Sequence, residues 1–217
     1  MTSFSTRRWK VLSLGVLALV ALALMSAFGP AAFANPLRTA RQQATVAHAN
    51  AASSTFTFSM VPSSSNISAC LPHATASVTV TTGSLNDTMK VSVSGLAPST
   101  GYDLFVIQTP AAPFGVSWYQ SDVQTNSSGS GSATVKGIFN VETFSVSPGG
   151  TTTFSPTHQY HLGLWFNNPK VPFKRGCEPG ATSPIVTPFN GEQNAGIQVL
   201  NTSNFPANAG PLSQIPA

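Results

Sequence analysis

Four histidines are the first residues to consider for catalysis or metal binding. His158 and His161 lie three residues apart in the segment THQYHLGLWF. Side chains three apart on a strand point to opposite faces, so the two could share a metal ion only at a helical turn or a bend. The sequence also lacks an HExxH motif. We therefore expect no metal site and no cofactor, and two surface or half-buried histidines.

The carboxylates and nucleophiles form no recognisable catalytic motif. A glycosidase needs two carboxylates about 5–10 Å apart across a cleft, and the acidic residues here lie scattered over different segments. They neither support nor exclude such a pair. No G-x-S-x-G elbow, glycine-rich phosphate loop or EF-hand loop is present. We predict no catalytic residue, and a secreted hydrolase stays open as an alternative.

Aromatic residues give the one indication of binding. Trp118 and Tyr119, in GVSWYQSD, are expected in or next to a loop, and Trp165, in GLWFNNP, on the strand face opposite Leu164. Exposed aromatic rings can stack on sugar rings or anchor a protein partner. These three side chains are the candidate binding residues. The alternative is that both tryptophans belong to the core, as large aromatic residues mostly do.

The elements that must position these residues are predicted to be strands. Apolar and small polar residues alternate in several short segments, and clusters of Gly, Pro, Ser and Asn separate them. No segment after the N-terminal region shows helical periodicity with caps. The predicted strands are 55–60, 76–82, 88–95, 102–108, one or two within 133–146, 159–166 and 195–201. This pattern predicts an all-β, antiparallel sandwich or barrel.

One turn between predicted strands carries a specific motif. Leu96 to Tyr102 has the pattern L-x-P-x-T-x-Y, which resembles the E–F corner of fibronectin type III domains. The resemblance implies that Leu96 anchors the core, that Pro98 and Thr100 shape the turn, and that the Tyr102 hydroxyl bonds back to the backbone. It covers about thirty residues and implies the class of immunoglobulin-like β-sandwiches, with a structural role for the corner.

A second segment repeats part of this spacing. Phe154-Ser155-Pro156 leads to Tyr160 at the same distance, followed again by alternating apolar residues. Pro-Phe pairs follow both segments, at Pro113 and at Pro172. The match predicts a degenerate duplication of a strand–corner–strand unit, with Pro156 and Tyr160 in a second corner.

Both cysteines, Cys70 and Cys177, lie in turn-like segments beyond the N-terminal region. In an oxidising compartment such a pair predicts one disulfide. Free thiols are the alternative, and two cysteines without CxxC spacing do not indicate a metal site.

The N-terminal segment predicts export. Arg7, Arg8 and Lys10 precede an apolar stretch over 11–28, and Ala32-Phe33-Ala34 fits a signal-peptidase site. We predict a bacterial-type signal peptide over 1–34, cleaved after Ala34, then a flexible leader over 35–54 and one β-sandwich domain over 55–217. An uncleaved single-pass anchor at 11–28 is the alternative. The paired arginines leave the export route open.

Removing the signal changes the charge of the chain. Three of the ten basic residues of the chain lie in the predicted signal peptide. The remaining seven basic residues and six acidic residues give a net charge of +1. No basic patch is present, so we expect no nucleic-acid partner, and membrane contact only through an uncleaved N-terminal segment. The sequence favours an exported, non-catalytic binding or adhesion module for a cell-wall polysaccharide or a surface protein. A secreted hydrolase and a purely structural envelope protein are the alternatives.

Overall fold

A computed structural model describes residues 53–146, 153–188 and 194–216, all of which belong to the unit His48–Ala217. The predicted signal peptide with its cleavage site, the alternative anchor and most of the leader lie outside the described residues. No helix within the described part of the chain is both long and apolar enough to span a membrane.

Strands dominate this unit, and the all-β prediction is confirmed. The strands are β1 (Thr55–Pro62), β2 (Thr75–Thr81), β3 (Asp87–Ser94), β4 (Gly101–Ile107), β5 (Ser117–Gln124), β6 (Gly131–Gly137), β7 (Val141–Val146), β8 (Thr153–His158), β9 (His161–Phe166), β10 (Thr187–Pro188), β11 (Asn194–Ala195) and β12 (Gln198–Asn201). The described residues also contain two short helices, α1 (Ser65–Cys70) and α2 (Lys170–Lys174), and a 3-10 turn (Pro211–Gln214).

Eight strands form one antiparallel sheet in the order β5-β4-β9-β12-β1-β2-β3-β6. β1 pairs with β2 along Thr55–Met60 and then with β12 at Val61 and Pro62, so it connects the two halves of the sheet. The end strands, β5 and β6, follow each other in the chain, and the sheet curls into a nearly barrel-like form. β7 and β8 pair separately, as do β10 and β11.

Alternation of apolar and polar residues builds the core inside this curled sheet. β2 and β3 bury every second residue, because successive side chains of a strand point to opposite faces. β4 and β9 are buried on both faces. Tyr102, Leu104 and Val106 of β4 face the main core, whereas Phe105 and Ile107 pack in a second, outer cluster with Trp165 and Ala195.

The turn between β3 and β4 is held by a tyrosine and a threonine. The backbone N–H of Ala97 donates to the buried Tyr102 hydroxyl at 2.9 Å, the back-bond expected of a corner tyrosine. Thr100 donates through Oγ1 to the Pro98 carbonyl at 2.8 Å and through its N–H to Thr125 Oγ1 at 2.9 Å. Burial raises the pKa of the Tyr102 hydroxyl to about 12. Leu96 is buried in the core, and Pro98 is exposed.

The predicted second corner is wrong. Pro156 lies inside β8, paired with Thr143, and Tyr160 precedes β9 without belonging to it. Tyr160 is half-buried, and its ring stacks on His158 with ring centroids 5.3 Å apart. Because Tyr102 and Tyr160 occupy unrelated settings, the duplication hypothesis fails with it. The spacing matched, but Pro156 sits in an extended strand of a two-stranded hairpin, where proline is tolerated.

The two cysteines form the predicted disulfide. The Cys70–Cys177 bond joins the end of α1 to the segment after α2, with 5.1 Å between the two Cα atoms. Neither helix is predicted from the sequence, because each is too short to show helical periodicity. A local signal exists only for α1, where Ser64 Oγ accepts from the Ile67 N–H at 3.3 Å and Ile67 is fully buried.

Candidate functional site

Trp118 and Tyr119 lie on a strand, β5, and not in a loop. β5 is an end strand of the sheet, so one of its sides has no strand partner among the described residues. The two aromatic side chains are 44% and 45% exposed, whereas most large apolar side chains of the unit are buried. We refer to the exposed side chains of β5 as the β5 edge.

A β-bulge determines which side chains of the β5 edge lie together. Leu104 pairs with Ser121, but the next residue, Phe105, pairs with Tyr119, so Gln120 is the extra residue on β5. Without the bulge, Tyr119 and Asp122 would point to opposite faces. With it, both lie on the outer face, and the Tyr119 hydroxyl donates to Asp122 Oδ1 at 2.8 Å.

Buried aromatic rings support Tyr119 from below. Phe105 packs edge-on against Tyr119, with centroids 5.6 Å apart, and against Trp165 at 5.5 Å. Trp165 in turn packs edge-on against Phe114 at 5.0 Å. Edge-to-face pairs at these distances are favourable beyond the area they bury. The exposed Tyr119 ring is therefore one end of a row of packed aromatic rings.

Trp165 belongs to this supporting row and not to the surface. The sequence placed it on the face opposite Leu164, which is correct, but that face is covered and Trp165 is only 2% exposed. A direct binding role for Trp165 is therefore wrong, because its ring is enclosed by Phe105, Phe114 and Ala195. The alternative prediction, that both tryptophans belong to the core, is correct for Trp165 and wrong for Trp118.

Polar side chains continue the outer face beyond Tyr119. Asp103 of β4 pairs directly with Asp122 of β5. Asp103 is buried, and its Oδ1 accepts from Asn167 Nδ2 at 2.9 Å, whereas Asp122 is exposed. Side chains in direct register lie about 4.5–5.5 Å apart at Cβ. Sequence patterns do not single out Asp103, Asp122 or Asn167, because only the strand register brings them together.

Trp118 lies on the other side of the same strand. It pairs with Val106, whose side chain faces the core, so its ring flanks β5 on the face opposite to Tyr119. The Gln120 amide donates to the Trp118 carbonyl at 3.2 Å, inside the bulge. Two exposed rings therefore border β5 from its two faces, with a polar bulge between them.

Within the described residues, the histidines belong to no cluster of metal-ligating side chains. His161 is fully buried: its Nδ1 lies 2.8 Å from Thr202 Oγ1 and its Nε2 3.1 Å from the Ala207 carbonyl. Since that carbonyl can only accept, Nε2 carries the hydrogen and Nδ1 accepts from Thr202. Burial lowers the pKa of His161, and the backbone bonds oppose this shift. No group of three or more metal-ligating side chains occurs within residues 53–146, 153–188 and 194–216.

Comparisons with models of known protein families, with curated proteins and with solved structures found no match.

Proposed function

We propose that this chain is an exported, non-catalytic β-sandwich protein that binds a hydroxyl-rich polymer, such as a cell-wall polysaccharide, along the β5 edge. The observation that carries the proposal is the pair of neighbouring exposed rings, Trp118 and Tyr119, on an end strand. Tryptophan and tyrosine are enriched where partners bind.

The chemistry of the edge suits a sugar polymer. The apolar face of a sugar ring can stack on Tyr119, whose position is fixed by Phe105 and by its bond to Asp122. Asp122 and Gln120 offer an acceptor and a donor for hydroxyl groups. Because Phe105 and Asp122 already hold the Tyr119 side chain, little side-chain entropy is lost when a ligand binds.

The proposed sandwich rests on the sheet order and the corner. β1-β2-β3-β6 and β5-β4-β9-β12 would form two layers joined at β1, with one core between them. The Tyr102 back-bond is the feature that immunoglobulin-like domains share. The disulfide supports export, because such bonds persist in oxidising compartments.

The test is depletion of the purified chain from solution by insoluble cell walls, chitin and cellulose. We expect binding by the parent chain and a loss of about tenfold or more in affinity for Trp118→Ala and Tyr119→Ala. Tyr119→Phe keeps the ring and should lose less. Leu85→Ala is the matched control, since Leu85 is an 80% exposed apolar side chain of the β2–β3 loop.

The outcomes separate the alternatives. Depletion that Trp118→Ala and Tyr119→Ala leave unchanged would contradict the β5 edge as the binding site. Absence of binding to any polymer would favour a structural envelope role or a protein partner.

One observation favours a hydrolase as the second candidate, namely the direct pairing of Asp103 with Asp122. Two carboxylates about 5–10 Å apart are what glycoside hydrolysis requires. The release of reducing ends from the same polymers, abolished by Asp122→Asn, would establish this activity. Binding without release would support the non-catalytic module.

A further inference from the structure

We infer that the polysaccharide bound at the β5 edge carries free amino groups, whose positive charge is held by the carboxylate of Asp122. This inference rests on the proposed polymer binding and names the class of polymer, a glycan of amino sugars without N-acetyl groups. The charge of the edge, its open hydrogen-bond acceptors and the position of Asp122 beside the Tyr119 ring each favour such a ligand.

The charged residues of β4 and β5 are all acidic. These two strands contain Asp103 and Asp122 but no lysine, arginine or histidine. The two aspartates lie directly opposite each other in the strand register, and like charges in that position are unfavourable. Within the described residues, Asp122 forms no salt bridge. A cationic ligand would reduce the repulsion between the two carboxylates, whereas an acidic polysaccharide would increase it.

The polar side chains of the edge already use their donors on one another. The Tyr119 hydroxyl donates to Asp122 Oδ1 at 2.8 Å, and Ser121 Oγ donates to the Asp122 carbonyl at 3.1 Å. Gln120 Nε2 donates to the Trp118 carbonyl at 3.2 Å, and its second hydrogen carries no full charge. Asp122 Oδ2 accepts no bond within the described residues. The edge therefore offers a charged acceptor, which a positively charged donor satisfies best.

A sugar that stacks on Tyr119 can reach the Asp122 carboxylate. The Asp122 side chain is exposed, and it lies at the hydroxyl end of the Tyr119 ring, which is itself exposed. Stacked rings overlap on their faces, so the substituents of the sugar project beyond the edge of the aromatic ring. A substituent on the side of the Tyr119 hydroxyl therefore lies next to Asp122.

A free amino group is the sugar substituent that suits this position. An ammonium group supplies three hydrogens and a positive charge, whereas a hydroxyl or an N-acetyl group supplies one hydrogen and no charge. A charge-assisted hydrogen bond is roughly twice as strong as a neutral one. We therefore expect the rings of Trp118 and Tyr119 to bind all three kinds of sugar, and Asp122 to favour the one with the free amino group.

The test compares three tetrasaccharides of the same linkage, built from glucosamine, N-acetylglucosamine or glucose, which differ only in the substituent at C2. Each is titrated calorimetrically into the purified full chain at about pH 6, between the ordinary pKa values of an aspartate, about 3.9, and an amino group, about 8. We expect the glucosamine form to bind about fivefold more tightly, as an exposed ion pair allows. This advantage should disappear in about 1 M salt, which screens the charges.

Two variants that remove the same charge separate Asp122 from the net charge of the chain. Asp122→Asn keeps an oxygen that can accept from the Tyr119 hydroxyl, so the ring stays in place. We expect it to bind the three tetrasaccharides with equal affinity. Asp87→Asn is the matched control, because Asp87 lies on β3 and its replacement can still accept from the Gly83 N–H. This variant should keep the preference of the parent chain.

The outcomes distinguish this inference from the proposed function. Equal binding of the three tetrasaccharides by the parent chain would overturn the inference and leave the polymer binding standing. A preference that a folded Asp122→Asn variant retains would overturn it as well. If none of the three binds, the proposed function fails together with the inference. Trp118→Ala and Tyr119→Ala should weaken the binding of all three, because the rings contact the sugar whatever its substituent.

Discussion

Replacing Tyr102 by phenylalanine removes one hydroxyl group and leaves the ring in place. The hydroxyl is the acceptor for the Ala97 N–H, and both residues are 0% exposed. Without it, the N–H stays buried without a partner, which costs about 1–3 kcal/mol. The ring keeps its packing on Phe166, with centroids 5.0 Å apart, so no cavity is created.

That cost converts into a measurable melting shift. For domains of this size each kcal/mol corresponds to about 2–4 °C, so Tyr102→Phe should melt roughly 2–12 °C below the parent chain. The assay is thermal unfolding followed by circular dichroism, with urea unfolding for the free energy. A Tyr102→Phe variant as stable as the parent would refute the reasoning, because it would mean that the Ala97 N–H finds another acceptor or needs none.

Tyr160→Phe is the matched control for this prediction. Tyr160 is half-buried, stacks on His158 and makes no side-chain hydrogen bond within the described residues. Its replacement should change the free energy of unfolding by less than about 0.5 kcal/mol. An equal loss at both positions would show that the corner geometry does not explain the effect of Tyr102.

Three further predictions follow from burial, the cross-link and titration. Trp165→Ala should lower the free energy of unfolding, measured with urea, by about 3–5 kcal/mol. Trp118→Ala removes a 44% exposed ring and should lower it by less than about 1 kcal/mol. Similar losses in the two variants would contradict the burial of Trp165. The double variant Cys70→Ser with Cys177→Ser opens a loop of 107 residues. Its free energy of unfolding, measured with urea, should fall by up to about 5 kcal/mol. An unchanged free energy of unfolding would contradict this prediction. Burial lowers the pKa of His161 below its usual 6.5, so below that pH the unfolded chain binds a proton that the folded chain excludes. The contribution of His161 to stability is therefore complete above pH about 6.5 and falls as the pH drops below it. Melting temperatures measured across this range should depend less on pH in His161→Gln than in the parent chain.

Local patterns made much of the scaffold predictable. β2, β3 and β4 begin and end close to where alternation of apolar residues placed them. β5 escaped prediction because it is an exposed end strand with a bulge, so its sequence SWYQSDVQ does not alternate. β8 is not predicted from the sequence for a different reason, because the spacing around Pro156 matches the turn of a second corner.

The candidate binding residues were only partly predictable. Trp118 and Tyr119 were identified by residue type, and the structure adds their exposure and their positions on the two faces of β5. Trp165 could not be assigned from its sequence, because an outward position on a strand is exposed or buried according to what covers that face.

By itself, the sequence determined features that depend on neighbours along the chain. These are the strand periodicity and the Leu96–Tyr102 turn. The disulfide pairing also follows from the sequence, because it contains only two cysteines. The tertiary structure alone decided which distant residues meet. The bulge that unites Tyr119 with Asp122 and the covering of Trp165 depend on strand register and on contacts between segments far apart in sequence. Such contacts form only when the whole sheet closes around its core, and short-range patterns do not encode them.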